Sequence, residues 1–135
     1  MKSSIEEQRL FYSNLGNLFY AIAAADKTIV EEEINTLKQL VNTEWLSLDG
    51  AKDPSEVDAM RQIKITFVEL HQQQANAYNC MAEFKAFKAS HAYLFTDEVK
   101  QLIWKTADAI SFSFSRRNKS ELVLLAELAA LLKAE

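Results

Sequence analysis

Glycine and proline are almost missing from this chain of 135 residues, which has two Gly and one Pro. Average usage would be about 7% and 5%. A β-rich fold needs turn residues every 8–12 positions or so, so sheet architectures are excluded and helices are expected. Cysteine is nearly absent too. The single Cys80 forbids an intramolecular disulfide and points to a reducing compartment. No basic excess exists: 15 basic residues face 19 acidic ones, for a net charge of −4. A protein whose main task is to grip a phosphate backbone needs the opposite balance, so nucleic acid is not the expected partner. No apolar run approaches the roughly 18 residues of a membrane span, and the first residues show no apolar signal core. A cytoplasmic protein is the expectation.

The length suits one domain, residues 1–135. An apolar fraction of 49% is enough for a core without staples. Apolar stripes at helical spacing recur along the chain. Leu10, Phe11, Leu15, Leu18, Phe19 and Ile22 mark a first helix over about 5–25, opened by Ser4 and Glu7 as a capping box. Gly16 inside it either admits a neighbouring helix at close range or is merely tolerated. Ile34, Leu37, Leu40 and Val41 mark a second helix from about Glu31 to Trp45. Asp53-Pro54 opens a third, carrying Val57, Met60, Ile63, Ile65, Phe67, Val68 and Leu70 up to the polar run His71 to Gln74. A fourth covers about 77–90 and a fifth starts at Thr96-Asp97-Glu98. Asn118 with Glu121 caps a last helix that ends near Lys133. The spacing thus predicts an all-α fold, a single compact bundle of six to seven helices.

Shifting the chain by 88 residues lays the first helix pair on the last: Phe11 meets Val99, Ile22 meets Ile110 and Glu33 meets Glu121. This reads as a degenerate helix-pair repeat, or as the chance alignment that any two amphipathic hairpins allow. The expectation is that the opening and closing pairs pack in one core.

The junction between the first two helices carries the acidic residues. Asp26 precedes Glu33 by seven positions across the turn, and Glu31 and Glu32 stand in the first turn of the second helix. Facing carboxylates repel unless a cation or a hydrogen-bond donor lies between them. As a hard-cation site, Asp26, Glu33 and Glu32 would offer oxygen ligands to Ca²⁺ or Mg²⁺, helped by free carbonyls at the end of the first helix. As structure, Asp26 accepts backbone N–H bonds in an Asx turn, and the glutamates cap the next helix. The structural role requires no cofactor. The alternating acids and the glycine of an EF-hand are absent.

The segment Ala25-Asp26, Ile29, Glu33 and Leu37, between an apolar helix and a Leu-rich one, resembles the tellurite-resistance TerB-like family. The family usually has Gly after the Asp, where this chain has Lys27. The resemblance implies an all-helical, non-enzymatic module of a cellular stress response that binds a protein partner or a divalent cation. TerB-like proteins often carry an acidic turn in both halves. Here the second turn reads Ser113-Phe114-Ser115-Arg116-Arg117-Asn118, with two arginines and no aspartate. Any cation site is therefore expected at Asp26 and not between Phe114 and Glu121.

Other constellations read as structural. His71, Cys80 and His91 lack zinc spacing. Cys80 lies near a helix start, which lowers a thiol pKa, but no His stands at evident catalytic spacing. Lys85, Lys88 and His91 share a helical spacing and read as a solvated basic face. Arg116, Arg117 and Lys119 precede a helix start that could cradle an anion, and read as a solvated loop. The aromatics Tyr12, Phe19, Phe84, Phe87, Tyr93, Phe95 and Trp104 read as core. Phe112 or Phe114, alternating with serines, would mark a partner surface if exposed. No Gly-rich phosphate loop or nucleophile motif is visible, so no enzyme is expected. Two functional readings stand: a TerB-like module with a protein partner and a weak cation site, and a ligand-free scaffold or oligomerisation domain, homo-oligomers included, whose acidic turn is structural.

Overall fold

The computed structural model describes residues 5–25, 31–45, 54–112 and 119–133. These form α1 (Ile5–Ala23), α2 (Glu31–Leu40), α3 (Pro54–Met60), α4 (Gln62–Gln73), α5 (Ala77–Ser90), α6 (Asp97–Phe112) and α7 (Lys119–Lys133). A π-helical turn, Val41–Trp45, extends α2, and a 3₁₀ turn, Ala92–Leu94, precedes α6. No strand occurs among the described residues. The expected all-α architecture holds.

α3 and α4 are nearly one helix. The backbone ladder continues through Arg61, whose N–H donates to the Val57 carbonyl and whose own carbonyl accepts from Ile65. Among the described residues the α-helix count is six or seven according to whether that joint divides them.

α1 is the axis of the bundle. From Phe11 to Ala25 every residue except Ser13 is buried. A helix buried around its circumference must satisfy its polar groups locally. Asn14 Nδ2 donates to the Leu10 carbonyl at 2.9 Å, and Asn17 Nδ2 to Asn14 Oδ1 at 3.3 Å. Ser13 bonds Thr66 of α4 through paired hydroxyls at 2.9 Å. α3, α4, α5, α6 and α7 all pack on α1, while α2 packs on α6 and α6 on α7. The opening and closing pairs therefore do share one core.

Gly16 is the close-approach residue. A Cβ there would lie 2.7 Å from Thr66 Cβ and 2.9 Å from the Ile63 carbonyl oxygen. α1 and α4 meet almost backbone to backbone at this point, so the glycine is not merely tolerated.

Trp45 fixes the end of α2. It is fully buried, its ring lies 6.3 Å from those of Tyr12 and Phe19, and its Nε1 donates to Thr106 Oγ1 of α6 at 3.0 Å. Leu37, Val41 and Trp45 are all buried at a spacing of four. In a 3.6-residue helix that spacing drifts around the axis. The wider π turn takes back the drift and keeps Trp45 on the buried face.

Several apolar residues assigned to core stripes face solvent instead. Leu10, Ile65, Tyr93 and Trp104 are exposed. A helical stripe gives the angular position of a residue but not the reach of the neighbouring helix, and these lie where no described element covers them.

Candidate functional site

Three helix ends meet at one side of the bundle and leave a cleft of about 570 Å³. The end of α1 contributes Tyr20, Ala24 and Ala25, the end of α4 contributes His71 and Gln74, and the start of α5 contributes residues 75–78.

The sequence builds each wall. α4 stops at the polar run through a Schellman turn: Gln74 N–H donates to the His71 carbonyl at 3.2 Å and Ala75 N–H to the Leu70 carbonyl at 3.0 Å. The turn puts Gln74 in the left-handed region, at φ 52°. It is the one non-glycine residue with positive φ among the described residues, and an L-residue there carries about 1–2 kcal/mol of local strain. Asn76 then caps α5, accepting the Asn79 N–H on Oδ1 at 3.0 Å. Tyr20 donates its hydroxyl to the Ala75 carbonyl at 2.7 Å and pins the connection to α1.

The floor is small and apolar, formed by Ala24, Ala25, Ala75 and Ala77. The rim is polar and aromatic, formed by His71, Gln74, Asn76 and Tyr78. Tyr78 is 57% exposed. Such a surface can hold an apolar side chain on the floor while hydrogen-bonding its backbone at the rim.

No activated nucleophile accompanies it among the described residues. Cys80 is buried in the first turn of α5, and burial, followed by the charge of Glu83, pushes its thiol up to about 11. The depression expected from a helix start is thus overturned by desolvation. Burial, and then Cys80, likewise raises the Tyr20 phenol.

The acidic residues of the sequence fall beside this cleft along the chain, because Ala25 directly precedes Asp26. Asp26 itself lies outside the described residues, as does the side chain of Glu33. Glu31 and Glu32 are exposed at the start of α2. Phe114, Arg116, Arg117 and Asn118 also lie outside the described residues, with the side chains of Phe112, Lys119 and Glu121. No group of three or more His, Cys, Asp or Glu side chains suited to a metal comes together among the described residues. His71 borders the cleft at the end of α4, whereas His91 follows the far end of α5. The soft ligands are therefore dispersed.

The basic face of α5 is solvated only in part, with Lys85 exposed and Lys88 not. Lys85 pairs with Glu127 of α7, Lys88 is buried, and the His91 ring stacks on Phe87 at 4.3 Å. Glu7, read as a capping residue, accepts the hydroxyl of Tyr93 and lies 3.8 Å from His91 Nε2. The cleft itself escaped sequence reasoning, and the signal available was Asn76, a capping residue directly after a helix-ending run.

Comparison with protein-family profiles, curated proteins and solved structures gives no match to this chain. No described helix is long and apolar enough to cross a membrane.

Proposed function

We propose that the protein is a non-enzymatic helical binding module of TerB-like type, acting in a stress response, whose working surface is the end of α1 and the turn that follows it. The observation that carries this reading is the position of the cleft. It opens beside Ala24 and Ala25, at the threshold of the acidic turn that supplies the family resemblance. An apolar floor under a polar, aromatic rim suits a segment of a protein partner better than it suits a reaction, since it lacks an activated nucleophile. The acidic turn serves mainly as structure, and its affinity for Ca²⁺ or Mg²⁺ is weak. The competing reading is a ligand-free scaffold or oligomerisation domain, which would leave the cleft without a partner.

Photo-crosslinking in living cells separates them. A photoreactive phenylalanine analogue replaces Tyr78 at the rim or, as a control, exposed Ile65 of α4. A single discrete adduct from position 78 and none from position 65 is expected. Equal labelling from both positions, or adducts from neither, would remove the cleft as the working surface.

A further inference from the structure

Three polar side chains from separate elements converge where the start of α1 meets the connection between α5 and α6. Glu7 comes from the first turn of α1, His91 follows α5, and Tyr93 lies in the 3₁₀ turn. The Tyr93 hydroxyl donates to Glu7 Oε2, and His91 Nε2 stands 3.8 Å from that same oxygen. The His91 and Glu7 side chains are 26% and 23% exposed, so water and small solutes reach them.

The hydrogen-bond network fixes which imidazole nitrogen carries the proton. Ser90 Oγ lies 3.3 Å from the Ala86 carbonyl oxygen, 3.1 Å from that of Phe87 and 2.8 Å from His91 Nδ1. Its single proton goes to the helix carbonyls, as in back-bonding by a helical serine. It therefore presents a lone pair to the ring. Nδ1 also faces the Phe87 carbonyl at 3.3 Å, and a carbonyl only accepts. Both neighbours require an N–H at Nδ1, which leaves Nε2 of the neutral imidazole as a bare acceptor. Opposite it stands a carboxylate oxygen, a second acceptor, at a separation too long for a hydrogen bond. Stacking on Phe87, with centroids 4.3 Å apart and planes 11° from parallel, holds the ring in this orientation. An imidazole whose N–H is held by a backbone carbonyl, with its other nitrogen facing a carboxylate, has the arrangement of a metal ligand.

We propose that His91 Nε2, Glu7 Oε2 and the Tyr93 oxygen bind one divalent transition-metal ion of the zinc or copper kind, with water completing its shell. Bonds of about 2.0–2.2 Å to nitrogen and oxygen bridge the 3.8 Å gap. Tyrosine makes the third ligand, in place of a third His, Cys, Asp or Glu. The imidazole favours Zn²⁺ or Cu²⁺ over Ca²⁺ and Mg²⁺, which prefer oxygen ligands. The site requires one oxygen of Glu7, and further bonds to that carboxylate are of the kind that orient a ligating group. The ion ties the start of α1 to the connection between α5 and α6. The site is separate from the cleft, at the other end of α5, and from the acidic turn after α1, and depends on the role of neither.

Calorimetric titration of Zn²⁺ and, separately, Cu²⁺ into the full chain tests the proposal, with circular dichroism as the check on folding. One ion per chain is expected, Cu²⁺ more tightly than Zn²⁺, and excess Mg²⁺ should displace neither. Zn²⁺ should also raise the unfolding midpoint, because it binds the folded state. His91→Gln should abolish the saturable binding. Glu7→Gln, which keeps an acceptor for Tyr93, should weaken it at least about tenfold, and Tyr93→Phe by a smaller factor. His71→Gln removes the only other histidine and should change nothing. The site is overturned if neither metal binds saturably, which would leave His91 and Glu7 as an exposed ion pair that contributes little. Binding that survives His91→Gln, is lost in His71→Gln or is displaced by Mg²⁺ overturns it equally. Should His91→Gln fail to fold, undiminished Zn²⁺ affinity in Glu7→Gln overturns it instead.

Discussion

Trp45→Ala is expected to cost about 3–5 kcal/mol, the range for emptying a large aromatic site in a packed core. The residue is fully buried where α2 meets α1 and α6, between Tyr12 and Phe19. It also supplies the donor for Thr106 Oγ1. Thr106 keeps a second bond, its hydroxyl donating to the Leu102 carbonyl at 2.8 Å, so its own proton stays satisfied when the indole is lost. Trp45→Phe should therefore cost less, about 1–3 kcal/mol, for a smaller cavity and one unfilled acceptor. Chemical denaturation followed by circular dichroism gives both values. A cost below about 1 kcal/mol for Trp45→Ala would mean that α2 is not anchored through this residue. Because folded domains are stable by only about 5–15 kcal/mol in total, the alanine variant should already be partly unfolded under mild denaturing conditions.

Gly16→Ala should destabilise, against the intrinsic preference of a helix. Ala is favoured over Gly in a helix interior by about 1 kcal/mol, so an unconstrained site would gain from the change. Here the added methyl would stand 2.7 Å from Thr66 Cβ and 2.9 Å from the Ile63 carbonyl oxygen. One obstacle is backbone, so relief requires moving α4 away from α1. That movement also stretches the Ser13–Thr66 hydroxyl pair one turn earlier in α1. Overpacking of this kind costs about 1–3 kcal/mol net. Thr66→Ala in the Gly16→Ala background should recover little, because Thr66 Cβ and the Ile63 carbonyl both remain. A higher unfolding midpoint for Gly16→Ala than for the wild type would contradict this packing.

Much of the fold could be read from the chain because helix ends carry local chemistry. The start of α6 at Asp97 and the polar run that stops α4 were visible as caps or breakers, and α5 over 77–90 and α7 from 119 to 133 matched their apolar stripes. Residues that depend on distant partners were not legible. Trp45 shows its buried spacing with Leu37 and Val41, but its Thr106 partner is 61 residues away and the π turn has no local signature. Lys88 is instructive in a different way. By spacing it belongs with Cys80, Met81, Phe84 and Phe87 on one face of α5, all of them buried. Its chemical type outweighed its position in the sequence reading, and position was the better guide. The cleft is assembled from three helix ends, and the bond that closes it, Tyr20 to Ala75, spans 55 residues. No window of sequence contains it.

Whether the acidic turn is structure or a cation site divides the readings of this molecule most sharply. Asp26 stands beside the cationic Lys27, and Arg116 and Arg117 stand before α7 where a second acidic pair would be needed for a repeated site. Asn at position 26 keeps the side-chain acceptor of an Asx turn and removes the charge that a divalent ion needs. Calorimetric titration of Ca²⁺ and Mg²⁺ into the wild type and Asp26→Asn is the direct measurement. A structural turn gives a stable Asp26→Asn protein and, in the wild type, at most a weak response in the range of about 1 mM or above, as in low-affinity carboxylate sites. A wild-type dissociation constant near about 1 µM, as in cation sensors, abolished in Asp26→Asn, would contradict it and make the protein a cation-binding one.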